Sequence, residues 1–173
     1  MRLHEAFRGN IDINQGIYIS LDLTDESARR IHDALSMLMR GDMVSEDDMH
    51  LTLMYAEDSQ LPNGFISREG IFEYDGSFGI ELFSDKKDTL VLTLENNSEI
   101  NKRHNRLRAY GLKHSYDEYR PHITLSYMFD ENDYPTGFLD NLKDAANQRI
   151  GKLQFKGEYI SNVKKNWADS LEK

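Results

Sequence analysis

The heptapeptides Met49-His50-Leu51-Thr52-Leu53-Met54-Tyr55 and Pro121-His122-Ile123-Thr124-Leu125-Ser126-Tyr127 decide how this chain folds. Each carries a His-x-Thr-Leu core in which polar and apolar residues alternate, the period of a strand with one buried face. His50 therefore shares a face with Thr52, and His122 with Thr124. On the same period Leu51, Leu53 and Tyr55 are expected on the opposite face, as are Ile123, Leu125 and Tyr127.

Working outward, the surroundings of the two segments repeat. Residues 17–23 (Ile-Tyr-Ile-Ser-Leu-Asp-Leu) alternate with Ile17, Ile19, Leu21 and Leu23 on one side and Tyr18, Ser20 and Asp22 on the other. Thr24 then offers an N-cap, Asp25 and Glu26 suit a helix N-terminus, and Ala28, Ile31, Leu35 and Leu38 follow at helical spacing up to Gly41. The second copy runs through a strand at 89–94, a capping box at Asn96 to Glu99, and a helix with Ile100, Leu107 and Tyr110 inward that stops at Gly111. His50 and His122 are 72 residues apart, and so are the N-cap candidates Thr24 and Asn96. The strands before the helices match less well, because the apolar face shifts by one residue between copies. This pattern predicts two similar lobes, approximately 17–55 and 89–127, related by a two-fold axis.

Between the lobes, 72–74 and 78–83 read as strands with Asp75-Gly76 as the turn joining them. Residues 137–148 read as a helix, and Leu153, Phe155 and Tyr159 alternate in a last strand, followed by a tail within 152–173. The expected total is six to eight strands and three helices. The fold class is α+β: a single domain over 1–173, with two pseudo-symmetric lobes of antiparallel strands, helices packed outside and a central cleft.

Composition narrows the function. The 173 residues include 30 acidic and 21 basic side chains, a net charge of −9, and no cysteine. Disulfides, thiolate zinc sites and a cysteine nucleophile are excluded. Sequence-independent binding to long nucleic acid rests on neutralising many phosphates, which this acidity opposes. No apolar run is long enough to span a membrane, and the chain reads as soluble and cytoplasmic. Charge is uneven: Lys102, Arg103, Arg106, Arg108, Lys113 and Arg120 crowd the stretch 102–120 against Asp117 and Glu118. His4, His32, His104 and His114 are given no role, with His104 read as a partly buried helix residue.

Two imidazoles and two hydroxyls on facing strands suit phosphodiester cleavage. One neutral imidazole can take a proton from an attacking hydroxyl while a protonated one supplies the leaving oxygen. Their ordinary pKa of ~6.5 allows both states at neutral pH. Threonine hydroxyls can donate to phosphoryl oxygens as charge builds. With six His and six Thr in the chain, composition gives roughly 0.2 such tripeptides by chance. No metal-ligand spacing accompanies the pair, so neither metal nor cofactor is expected.

On these residues, and on Pro121 placed directly before the second motif, the chain resembles the 2H phosphoesterase superfamily over most of its length. The resemblance implies catalytic roles for His50, Thr52, His122 and Thr124, with acid and base unassigned. Members that process RNA ends commonly carry Arg after the second motif, where this chain has Ser126-Tyr127-Met128. Gly16-Ile17-Tyr18, the tail Gly157-Glu158-Tyr159-Ile160 and Trp167 look more like the phage anti-CBASS enzymes, which hydrolyse cyclic oligonucleotide immune signals. That likeness implies base stacking by Tyr18, further substrate contacts from Glu158 and Trp167, and a small cyclic di- or trinucleotide as partner. Oligomeric state stays open. An RNA-end or 2′,3′-cyclic nucleotide phosphodiesterase, and a module that binds nucleotides without cutting them, stand as alternatives.

Overall fold

The computed structural model describes residues 11–12, 15–68, 70–83, 88–96 and 98–163. Its strands are β1 (Ile17–Leu23), β2 (His50–Ala56), β3 (Phe72–Tyr74), β4 (Phe78–Phe83), β5 (Thr89–Leu94), β6 (His122–Tyr127) and β7 (Leu153–Asn162). The helices are α1 (Asp25–Leu35), α2 (Ser98–Ala109) and α3 (Phe138–Arg149). All seven strands join one antiparallel sheet in the order β3-β7-β1-β2-β6-β5-β4. The expected lobes are its two halves, meeting where β2 pairs with β6 at Leu51↔Ile123.

The stretch 72–83 is not the expected hairpin. β3 pairs with β7 and β4 with β5, at opposite edges of the sheet. A flat seven-stranded sheet would hold its edges about 29 Å apart, whereas the four peptide steps from Tyr74 to Phe78 span at most about 14 Å. The sheet must therefore roll until its edges approach. Tyr74 and Phe78 close the seam with ring centroids 5.5 Å apart. The Tyr74 hydroxyl donates across it to the carbonyls of Ser77 and Glu95.

One face of the sheet is apolar and fully buried: Ile17, Ile19, Leu21, Leu51, Leu53, Leu90, Leu92, Ile123, Leu125, Leu153 and Phe155 are all at 0% exposure. Ile31 and Leu35 of α1, Ile100 and Leu107 of α2, and Leu142 and Ala146 of α3 complete this core. Thr24 caps α1 as expected, its hydroxyl accepting from the Ser27 N–H at 3.3 Å. The second cap departs from expectation. Asn96 has φ 56° and α2 begins at Ser98, so Asn96 is not in the extended conformation an N-cap takes. Tyr110 is also exposed rather than inward, its ring meeting Phe65 edge-on at 6.1 Å instead of entering the core.

The apolar shift noticed between the copies has a structural basis. Asp22 pairs with His50 and Thr93 with His122, an offset of 71 in these strands against 72 in the motif strands. Leu90, Leu92 and Leu94 thereby take the places of Ile19, Leu21 and Leu23.

Bulges correct three further expectations. In β2, Ser20↔Thr52 is followed by Ile19↔Met54, which leaves Leu53 as an extra residue. In β6, Val91↔Thr124 is followed by Leu90↔Ser126, which leaves Leu125 extra. An unpaired residue resets the alternation beyond it. Tyr55 and Tyr127 therefore return to the face of the histidines, across from Tyr18 and Thr89 respectively. In β7, two residues between Phe155 and Glu158 oppose one in β1. Glu158 is thereby turned onto the apolar face opposite Leu21, and Tyr159 onto the other, opposite Ser20.

Candidate active site

Each motif strand presents its His and Thr by strand alternation, and the register at Leu51↔Ile123 brings the pairs together. On an antiparallel ladder that register sets His50 across from Thr124 and His122 across from Thr52. Four polar side chains thus form a quartet about a local two-fold, and all four are half-buried. Neighbouring rows widen this floor. The row through His50 includes Asp22, and that through Thr52 includes Ser20 and Tyr159. The row through His122 includes Thr93 and Gly79, where an added Cβ would collide with the Thr93 hydroxyl.

Both imidazoles are held alike. His50 Nδ1 lies 2.8 Å from the Asp48 carbonyl, and His122 Nδ1 lies 2.7 Å from the Arg120 carbonyl. A carbonyl oxygen only accepts, so Nδ1 carries the proton in each ring. Nε2 is then the atom left to exchange protons, as acceptor when the ring is neutral and as donor when it is charged. Two equivalent backbone clamps therefore aim two proton-transfer atoms from one surface.

Their surroundings differ. His50 has the Asp22 carboxylate across the strand pair and the Tyr18 ring edge-on, with centroids 6.2 Å apart. His122 has Phe83 edge-on at 4.7 Å, and the Arg120 guanidinium lies 5.1 Å above that same Phe83 ring. Burial pushes the His122 pKa below the ordinary imidazole value, and charge on His50 and on Arg120 lowers it further, against a raising contribution from its backbone hydrogen bond.

Thr52 is fixed from two directions. Its hydroxyl hydrogen-bonds the Tyr18 hydroxyl at 2.9 Å, and its carbonyl accepts from the Tyr119 hydroxyl at 2.8 Å. Burial raises the Tyr18 pKa strongly, so that phenol keeps its proton through the working range. Beyond Leu51 the β2 edge parts from β6, and the segment 104–119 takes its place. His104 Nδ1 donates to the Leu53 carbonyl at 2.6 Å, the Tyr55 N–H donates to His114 Nδ1 at 3.2 Å, and the Ser115 N–H donates to the Tyr55 carbonyl. Across the pseudo-two-fold, the Val44 N–H donates to the carbonyl of the equivalent bulge residue, Leu125. Both His104 and His114 are held neutral, chiefly by burial, His114 down to about 4.

The expected site residues thus divide. His50, Thr52, His122, Thr124 and Tyr18 share one face. Glu158 does not: its side chain is fully buried on the opposite face, accepting from Arg103 Nη2 and Nε at 2.6 and 2.7 Å and from the Arg68 N–H. Trp167 lies outside the described residues. Sequence reading missed Tyr55, Tyr127, Phe83 and Tyr119. The first two were signalled by falling 72 residues apart after matching motifs. Phe83 and Tyr119 gave no local signal, because only the packing of distant segments brings them to the site.

Among the described residues no three His, Asp or Glu side chains are grouped as metal ligands, and no helix is long and apolar enough to cross a membrane. The fold and floor define the class: an α+β protein whose antiparallel sheet carries a quartet of two histidines and two threonines on one face. A family model described as anti-CBASS protein Acb1 matches residues 15–170, and the chain belongs to that family. The anti-CBASS protein Acb1 of Salmonella phage S16 is 28% identical, over 93% of this chain and 97% of that protein. The Enterobacteria phage T4 protein of the same name is 26% identical, also over 93% and 97%. Among solved structures, E. coli LigT complexed with 3′-AMP overlaps 65% of this chain and 72% of its own, with 21% identity and a TM-score of 0.48.

Proposed function

We propose that this chain opens small cyclic oligonucleotides without a metal ion, with His122 as general base and His50 as general acid. Membership of the Acb1 family makes it a phosphodiesterase that degrades cyclic nucleotide signals. The observation that carries the mechanism is the pair of Nδ1 clamps, which leaves the two Nε2 atoms to exchange protons on one face of the sheet. His122 Nε2 takes the proton from a ribose 2′-hydroxyl, whose oxygen bonds to the adjacent phosphorus. The bond from phosphorus to the 5′ oxygen breaks, and His50 Nε2–H protonates that oxygen. The product is a linear oligonucleotide ending in a 2′,3′-cyclic phosphate. Thr52 and Thr124 donate to the non-bridging oxygens as their charge grows.

The roles follow from the surroundings of His122. A base must start neutral, and burial with the Arg120 charge nearby favours neutral His122. The acid is then the other ring of the pair, His50. Bases of the substrate would rest beside Tyr18 and Phe83, the aromatic rings flanking the two histidines. The place of action that fits a phage-type enzyme of this kind is the host cytoplasm.

Cyclic di- and trinucleotides, and linear ends bearing 2′,3′-cyclic phosphate, are to be incubated with the protein in EDTA and the products read by mass spectrometry. Cleavage of the cyclic oligonucleotides that persists in chelator is expected. Loss on chelation with recovery on adding a divalent ion would overturn the mechanism. Faster turnover of the linear ends would move the substrate to RNA termini, and unchanged ligand with tight binding would make the chain a sequestering module.

A further inference from the structure

The structure sorts the six basic side chains of 102–120 by what they touch. Arg103 is buried on Glu158, Lys102 pairs with Glu99 at 3.5 Å, and Arg120 pairs with Glu81. Arg106 is exposed on α2 and does not line the cavity described next. Arg108 and Lys113 remain. Both line a cavity of about 840 Å³ between the C-terminal half of α2 and the loop 111–119, and among the described residues neither forms an ion pair.

We propose that this cavity receives a second nucleotide unit of the substrate, with its base against Tyr116 and its phosphate between Arg108 and Lys113. The inference rests on the phosphodiesterase reading above. Its volume lies within the ~300–1,000 Å³ of small-molecule sites. Its floor is aromatic and uncharged. Tyr119 stacks on His104 at 3.7 Å with planes 7° apart, and His114 meets both rings edge-on. Tyr116 stands 46% exposed at the wall beside Tyr55 and His114, so part of its aromatic surface is accessible to a base. Because the two histidines are held neutral, the positive charge lining the cavity is that of Arg108 and Lys113. Asp117 and Glu118 also line it, and their charge disfavours a long run of phosphates.

The cavity adjoins the catalytic strand. Tyr119 touches the Thr52 carbonyl, and the Tyr116 ring lies 5.7 Å from Tyr55, which lies 6.2 Å from Tyr18. A ligand seated at the quartet can thus extend along Tyr18 and Tyr55 to Tyr116. A cyclic mononucleotide is too small to reach both ends.

Two measurements decide the point. For Arg108→Glu/Lys113→Glu, the ratio of kcat/KM on a cyclic dinucleotide to that on a 2′,3′-cyclic mononucleotide is expected to fall about tenfold. A ratio within twofold of the parent overturns the subsite, whether both activities stay or both fall. The second readout needs no turnover. In the His50→Ala/His122→Ala protein, titration with the linear dinucleotide pApA is expected to shift the ring-proton resonances of His104 and His114, and Tyr116→Ala to weaken that titration at least fivefold. Binding that leaves both resonances in place, or no binding at all, overturns the subsite. Shifts at both histidines in that variant, together with a parent protein that cuts no cyclic oligonucleotide, would keep the subsite and overturn the functional reading alone.

Discussion

β2 and β6 carry the same tetrapeptide pattern, the same bulge and the same backbone clamp on the histidine, yet they place the two imidazoles in different electrostatic settings. His50 looks across to Asp22, whereas His122 looks across to Thr93 and sits near Arg120 and Phe83. The repeat makes a symmetric pair of proton-transfer atoms, but acid–base catalysis needs two rings in different roles. Burial and the Arg120 charge favour the neutral form of His122, while the neighbouring strands, offset by 71 rather than 72, put Asp22 beside one histidine and Thr93 beside the other.

The largest break in that comparison is removal of either ring. His50→Ala and His122→Ala are each expected to lower kcat by at least about 10²–10⁴-fold. A substrate with a good leaving group, such as a nitrophenyl phosphodiester, separates them: it should largely rescue His50→Ala and leave His122→Ala inactive, because only the acid becomes dispensable. Rescue of His122→Ala instead would exchange the roles. The hydroxyls come next. Thr52→Val and Thr124→Val are each expected to cost about 10²-fold or more in kcat, in line with loss of a transition-state donor. Tyr18→Phe, which removes only the partner of Thr52, should cost less than Thr52→Val, and the double variant Tyr18→Phe/Thr52→Val should be no worse than Thr52→Val alone in the same steady-state assay.

Glu158 offers a contrast of another kind, between the catalytic face and the buried one. Glu158→Ala leaves Arg103 buried without its partner and should cost about 3–5 kcal/mol of stability, roughly 10 °C in Tm for a chain of this size. Scanning calorimetry reads this directly. Arg103→Met/Glu158→Leu should recover most of the loss, since replacing a buried pair with apolar groups is often neutral. A Glu158→Ala protein with unchanged Tm but a raised KM would return the carboxylate to the substrate.

The smallest effect is the dependence of stability on pH. His104, His114 and His122 all bind protons less readily folded than unfolded. On acidification the unfolded chain takes up protons first. Stability should therefore hold above the ordinary imidazole value of ~6.5 and fall as pH drops toward the His114 value of about 4. Circular-dichroism melts between pH 8 and 4.5 would show it, and His114→Gln, which keeps an acceptor for the Tyr55 N–H, should flatten the curve. A Tm constant across that window would contradict the neutral state of these rings.

Much of the site was legible without coordinates because alternation is a local property. His50 with Thr52, and His122 with Thr124, share a face by strand geometry alone, and Thr24 caps α1 through a bond to a residue three places on. What misled was also local. Reading Leu51, Leu53 and Tyr55 as one face assumes an unbroken pleat, and the bulge at Leu53 breaks it. The same error turned Glu158 outward in expectation, although in β7 it points into the core and needs Arg103 of α2. Asp75-Gly76 has the composition of a hairpin turn, but its flanking strands pair with others at opposite edges of the rolled sheet.

The sequence by itself determined the two strands, the residues on their polar faces and the 72-residue repeat that relates them, because each can be read from spacing along the chain. Tertiary structure decided everything that depends on a partner: the register that closes the quartet at Leu51↔Ile123 and the bulges that turn Tyr55, Tyr127 and Glu158. It also set the unequal neighbours that distinguish His50 from His122. Register, burial and nearby charge are contributed by segments distant in the chain, and no local pattern encodes which of them will arrive.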